Sequence, residues 1–222
     1  MKVVITGSTG LIGSAVIREC ITNDEVTHAF ILSRQELPDE ITRHAKITVI
    51  IHTDFSTYPS DLLQRLAGCE ACIWAIGGRA PQFPDIATYR KVQVDYPLTA
   101  AHEFEKYLAP GLLSNKSFRF IFCSGKYAEW DQEKSLSFMA DTRLIKGQVE
   151  KGLCDIAKKG NRFNVWCARP SGVLSSNAGI FESLMGKLYG AIKVNDLARA
   201  LVQIALNGNQ KQIIESDELP RI

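Results

Sequence analysis

The stretch Thr6-Gly7-Ser8-Thr9-Gly10-Leu11-Ile12-Gly13 decides how the rest of the chain is read. It follows the apolar run Val3-Val4-Ile5 and leads into residues 11–22, where apolar positions recur at helical spacing. Each glycine in a strand–turn–helix of this kind has a task. The first permits a tight turn, the second lets backbone approach a pyrophosphate, and the third lets the helix pack on the strand. The helix start offers free N–H groups and the positive end of a dipole to phosphates. The stretch therefore predicts dinucleotide binding by Thr6, Gly7, Ser8, Thr9, Gly10, Leu11, Ile12 and Gly13.

Further along, short apolar runs alternate with longer amphipathic ones. The runs predict strands at 2–6, 27–33, 46–51, 70–76, 117–124 and 162–168, each rich in Val, Ile, Phe or Cys as strands buried on both faces should be. Between them lie helical patterns at about 11–22, 58–67, 85–107, 136–159 and 195–207. This alternation predicts an α/β fold: a single Rossmann-type domain over 1–222, a doubly wound parallel sheet with helices on both faces. Two irregular segments leave carboxyl ends of strands, where ligands of open α/β sheets bind. One is the Gly- and Pro-rich Gly77 to Pro84; the other is a small substrate-side segment at about 170–194.

Composition removes several function classes. The chain has 222 residues, 45% hydrophobic and 23% charged, with a net charge of +2, which suits one domain with a substantial core and no strong pull toward nucleic acid or an anionic membrane. Its four histidines show no metal-ligand spacing. No apolar run approaches a membrane span, and Gly7 would interrupt a secretory apolar region. The expectation is a cytoplasmic protein without a membrane partner. Cys69 and Cys72 form a C-x-x-C, but zinc would want a second pair and a redox pair should open a helix, so the six cysteines read as buried thiols.

The motifs resemble the short-chain dehydrogenase/reductase superfamily along the whole chain. T-G-x-x-G-x-x-G is the spacing of its extended and atypical branches. Phe120 to Gly125 resembles the family's fifth strand, ending in an active-site serine at Ser124. Ala168-Arg169-Pro170-Ser171-Gly172-Val173 resembles the segment after its sixth strand, and Val194 to Ala200 its last helix. Lys146-Gly147-Gln148-Val149-Glu150 is similar to the atypical NmrA-like and HTATIP2-like type.

For the cofactor, an NAD site usually has an acidic residue after the second strand. Here that strand ends Ser33-Arg34, which suits a 2′-phosphate, because Arg grips it bidentately. NADP(H) is the expected cofactor. The resemblance adds Asp54 and Phe55 near the adenine, Ala75, Ile76 and Gly77 under the nicotinamide ribose, and Pro170, Ser171 and Val173 after the sixth strand.

The family's reductases carry a tyrosine four residues before the lysine, placing both on one helix face. The lysine holds the nicotinamide ribose and its charge lowers the tyrosine's pKa. Ser124 and Lys146 match the serine and the lysine, but the tyrosine's position holds Thr142, whose hydroxyl is too weak an acid and too short. Tyr127 is the leading substitute proton donor, against the alternative of a loop aromatic that only covers the site. Lys126, Glu129, Asp131 and Asp141 are weaker options. Asp95 stands where the family often has a relay asparagine, and an ionised aspartate cannot donate.

Three functions follow. The first is an atypical NADP-dependent oxidoreductase of a small, largely apolar carbonyl or enone, with catalytic residues Ser124, Lys146 and Tyr127. The second is a non-catalytic NADP(H)-binding redox-sensing regulator. The third is a non-redox isomerase or cyclase in a repurposed pocket. Phe83, Trp130, Phe138, Met139, Phe181, Leu184, Met185 and Tyr189 could wall an apolar substrate pocket or close the core. The resemblance implies a monomer or a homodimer and a small-molecule partner.

Overall fold

The structure is a computed structural model that describes residues 1–176 and 190–222. Phe181, Leu184, Met185 and Tyr189, expected near the pocket, lie outside the described residues. Seven strands form one all-parallel sheet in the order β3-β2-β1-β4-β5-β6-β9. They are β1 (Lys2–Thr6), β2 (His28–Ser33), β3 (Ile47–Ile51), β4 (Ala71–Trp74), β5 (Phe118–Cys123), β6 (Phe163–Ala168) and β9 (Ile213–Ile214). A separate parallel pair joins β7 (Val173–Leu174) to β8 (Ile192–Lys193).

The helices are α1 (Leu11–Thr22), α2 (Asp39–Thr42), α3 (Ser60–Arg65), α4 (Ile86–Arg90), α5 (Tyr96–Tyr107), α6 (Ala140–Lys159) and α7 (Val194–Asn207). Alternate residues of each strand enter opposite cores. Val3, Ile5, Ile31, Ile73 and Ile121 face α1 and α7, whereas Val4, Leu32, Trp74, Phe120 and Phe122 face α3, α5 and α6. Both cores are built of buried apolar side chains, which is why these strands read as unbroken apolar runs and not as alternating ones. A fully buried side chain the size of Phe120 contributes about 2–3 kcal/mol by transfer from water.

The expected fold class is present, with boundaries shifted by a few residues. The helix expected over 85–107 is interrupted by a π-helical turn at Lys91–Asp95. The helix expected from 136 begins at Ala140, because Met139 adopts a left-handed conformation with φ 48. All six cysteines are buried free thiols, Cys69 and Cys72 among them. Among the described residues no helix is long and apolar enough to cross a membrane.

The sheet order reverses between β1 and β4. Connections leave β1 toward β2 on one side and β4 toward β5 on the other, so a crevice opens at the carboxyl ends of these strands. The candidate site occupies that crevice.

Candidate functional site

Two adjoining cavities share Ala75 and Gly77 as a common wall. The first, about 500 Å³, lies under the β1–α1 turn. Gly7, Ser8, Thr9 and Gly10 line it, with Ser33, Arg34, Phe55 and Ile76. Its shape depends on two glycines. Gly7 sits at φ +72, and a Cβ there would stand 2.5 Å from the Ala75 carbonyl. A Cβ on Gly13 would stand 2.1 Å from the Gly7 oxygen, so α1 could not pack as closely. Thr6 is buried and its Oγ1 accepts from the Ala75 N–H at 3.2 Å, tying the two strand ends together. Gly10 caps α1 without a side-chain bond, and the first turn holds no acidic residue. The leading N–H groups therefore face the cavity uncompensated, as an anion site requires.

Arg34 is exposed on the cavity rim, and among the described residues it forms no ion pair. Ser33 has a narrower role than its spacing implied. Its hydroxyl donates to the Gln35 carbonyl at 2.6 Å, so it shapes the turn that carries Arg34. Asp54 is exposed and accepts from the Ser56 N–H, which holds its carboxyl below the usual range; Thr53 and Phe55, not Asp54, line the cavity. Leu11 is exposed and outside the lining, while Ile12 reaches the second cavity.

The second cavity, about 440 Å³, is bounded by Ser124, Lys146, Tyr127 and Thr142, and by Pro170, Ser171 and Val173 from beyond β6. Lys146 is buried on α6, and its Nζ donates to the Ser124 carbonyl at 3.1 Å. Burial pushes its ammonium below the ordinary lysine value, opposed by Cys123 and Glu150. Ser124 Oγ is buried and, among the described residues, has no hydrogen-bond partner. An unpaired buried hydroxyl costs about 1–3 kcal/mol, and a ligand oxygen would satisfy it.

Thr142 accounts for itself in this arrangement. Its Oγ1 accepts from the Ala80 N–H at 3.0 Å, which fastens the loop after β4 to α6. The same hydroxyl meets the buried Tyr89 phenol, which also donates to the Gly78 carbonyl at 3.4 Å. Burial raises Tyr89 to about 12, with the Thr142 bond acting the other way. Gln93 completes the latch, because its Oε1 accepts from the Gly78 N–H at 3.2 Å. Thr142 is thus committed to fastening this loop.

Gln93 is a residue the sequence reading missed. It is fully buried with its Nε2 unpaired, whereas Asp95, expected to face the site, is exposed. Within the π-helical turn at Lys91–Asp95 the buried residues are Gln93 and Val94.

Tyr127 sits at φ 69 and is 56% exposed at the cavity mouth. Lys126 Nζ lies 4.9 Å and the Arg143 guanidinium 5.7 Å from its ring centroid. Arg143 Nε donates to the Tyr127 carbonyl at 3.0 Å and Nη1 to that of Phe138 at 3.4 Å, holding both strained neighbourhoods. The loop beyond Tyr127 lies against α6 so tightly that a Cβ on Gly147 would meet the Glu129 carbonyl oxygen at 1.6 Å. Trp130 is half-buried: its Nε1 donates to Glu150 at 2.7 Å, and Glu150, fully buried, pairs with Arg169. Trp130 therefore braces the loop and does not line the cavity. Phe83 lines the first cavity, and Phe138 and Met139 the second.

No family model matches the chain. A leucinostatins biosynthesis cluster protein T from Purpureocillium lilacinum is 29% identical over 126 residues, covering 56% of this chain and 42% of the relative. The alignment thus spans less than half of the relative's length. Among solved structures, Gre2 from Candida albicans in complex with NADPH superposes with a TM-score of 0.71 at 16% identity, covering 97% of this chain and 77% of that one. Vestitone reductase from alfalfa gives 0.68 at 18%, covering 96% and 76%. A UDP-glucose 4-epimerase from Thermotoga maritima gives 0.65 at 16%, covering 100% and 81%. At these identities the likeness concerns the fold. The chain has the Rossmann-type α/β fold of these reductases and this epimerase.

Proposed function

We propose that this protein is an atypical NADP(H)-dependent oxidoreductase that reduces a small carbonyl compound. The observation that carries the reading is the buried Lys146 ammonium on the Ser124 carbonyl, beside an unpaired Ser124 hydroxyl, where the two cavities meet. Gre2, the solved neighbour that contains NADPH, has the same fold and supports the cofactor choice.

The residues present fit a dinucleotide. The uncapped start of α1 and the glycine-walled cavity would receive the pyrophosphate, Arg34 the 2′-phosphate, and Lys146 the nicotinamide ribose. When bound, NADPH supplies a hydride to the carbonyl carbon and leaves as NADP⁺, while the carbonyl oxygen takes up one proton. Ser124 Oγ donates to that oxygen and fixes the carbonyl's orientation. Lys146, buried and positively charged, favours negative charge developing nearby. Thr142 supplies no proton, since its hydroxyl is held by the latch. Tyr127 at the mouth, or water reaching it, is the proton source.

A second reading, a redox-sensing regulator without turnover, is favoured by the latch itself, because the position of the usual donor is used for structure. Incubation with NADPH and a panel of small carbonyl compounds separates the two. The oxidoreductase reading predicts loss of NADPH absorbance matched by alcohol formation, reduced about a hundredfold in Ser124→Ala. Tight NADPH binding with no consumption across the panel would instead favour the sensor.

A further inference from the structure

The second cavity has an uneven charge balance that the proposed function does not use. Arg79, Lys126, Arg143 and Lys146 line it, and among the described residues no Asp or Glu does. The cations come from three separate places: the loop after β4, the loop after β5, and α6. Lys146 is deep and engaged at Ser124, but the other three stand around the mouth. Among the described residues, neither Arg79 nor Lys126 has a carboxylate partner. The nearest candidate, Glu129, is bound to Lys134 at 2.5 Å and accepts from the Asp131 N–H.

Two further features make this a shaped arrangement. Arg143 uses Nε and Nη1 on backbone carbonyls, which fixes its guanidinium plane, and among the described residues Nη2 has no hydrogen-bond partner. Lys126 Nζ and the Arg143 guanidinium both approach the Tyr127 ring, at 4.9 and 5.7 Å from its centroid, which gathers the two cations at one aromatic side chain. Between this rim and Ser124 the wall is apolar, with Phe138, Met139 and Val173. The dinucleotide's own phosphates are assigned to the other cavity, with the α1 start and Arg34, so they do not account for these charges.

We infer that the substrate carries a carboxylate as well as a carbonyl: the carbonyl oxygen meets Ser124, the carbon skeleton lies on the apolar wall, and the carboxylate is gripped by Lys126, Arg143 and Arg79. This rests on the oxidoreductase reading for the role of Ser124. A guanidinium with fixed geometry is the fitting partner for a carboxylate. This substrate would be amphiphilic and anionic, which departs from the largely apolar one expected from the sequence.

The test uses matched acid and ester pairs: levulinate with methyl levulinate, and benzoylformate with methyl benzoylformate. Each is titrated by calorimetry into the NADP⁺-saturated full chain, after NADPH binding has been measured on the same sample. At least one acid should bind about tenfold or more tightly than its ester. Raising the salt concentration should shrink the preference. The double variant Arg79→Gln/Lys126→Gln, which keeps Arg143, should cut the preference severalfold, and the single variants serve if the double variant folds poorly. Equal binding of acid and ester, preference for the ester, or binding of neither at millimolar concentration overturns the inference while NADPH binding leaves the oxidoreductase reading standing. Failure to bind NADPH overturns that reading instead.

Discussion

At the end of the crevice under β1 and β2, one wall is the backbone of the Gly7–Gly10 turn; at the end under β5 and α6, the cationic side chains of Arg79, Lys126, Arg143 and Lys146 gather. The first end has little freedom. Gly7 and Gly13 are in contact with backbone, and almost any side chain would close the space. The second end is held by bonds between distant positions, and many residue types could replace one another there. Backbone-built recognition suits a cofactor that does not change, whereas a side-chain-built pocket can be retuned for a substrate.

Substitutions should expose the difference. Lys146→Ala has the largest expected effect, a fall in turnover of about a hundredfold or more, because the cofactor's reacting end loses its anchor. Activity retained within a few-fold would break the assignment of the second cavity. Gly7→Ala comes next. The strained φ and the contact with Ala75 should destabilise the chain by about 3 kcal/mol or more, read as a lower urea midpoint together with lost NADPH binding. Arg34→Ala should weaken NADPH binding about tenfold and leave NADH binding unchanged, since it removes one charge-assisted contact.

Smaller effects are expected at the other end. Thr142→Val removes the acceptor for the Ala80 N–H and should cost about 1 kcal/mol of stability. The companion Thr142→Tyr should give no gain in turnover, because the added ring meets Tyr89 and the 78–80 backbone; a gain would mean that the latch is dispensable. Tyr127→Phe should change turnover least, within a few-fold, if water supplies the proton, and about a hundredfold if the phenol does.

The same contrast explains what could be read from the residues in order. The strands could be found because both faces of each are buried, and the β1–α1 turn because its glycines stand at fixed spacing between a strand and a helix. The latch could not. Ala80 and Thr142 stand 62 positions apart, and nothing local to either marks the bond. Gln93 escaped notice because a π-helical turn breaks the 3.6-residue period on which facing arguments rest. Met139 at positive φ hid the true start of α6 in the same way. The cationic rim gathers Arg79, Lys126 and Arg143 from separate segments, each of which alone reads as solvated.

The central claim is that the glycine-walled end holds NADP(H) with Arg34 as its selector. A paired calorimetric titration of the full chain with NADPH and NADH tests it most directly. The account predicts tight NADPH binding and NADH binding at least about tenfold weaker. Equal affinity for the two would contradict the role of Arg34, and binding of neither would contradict the claim as a whole.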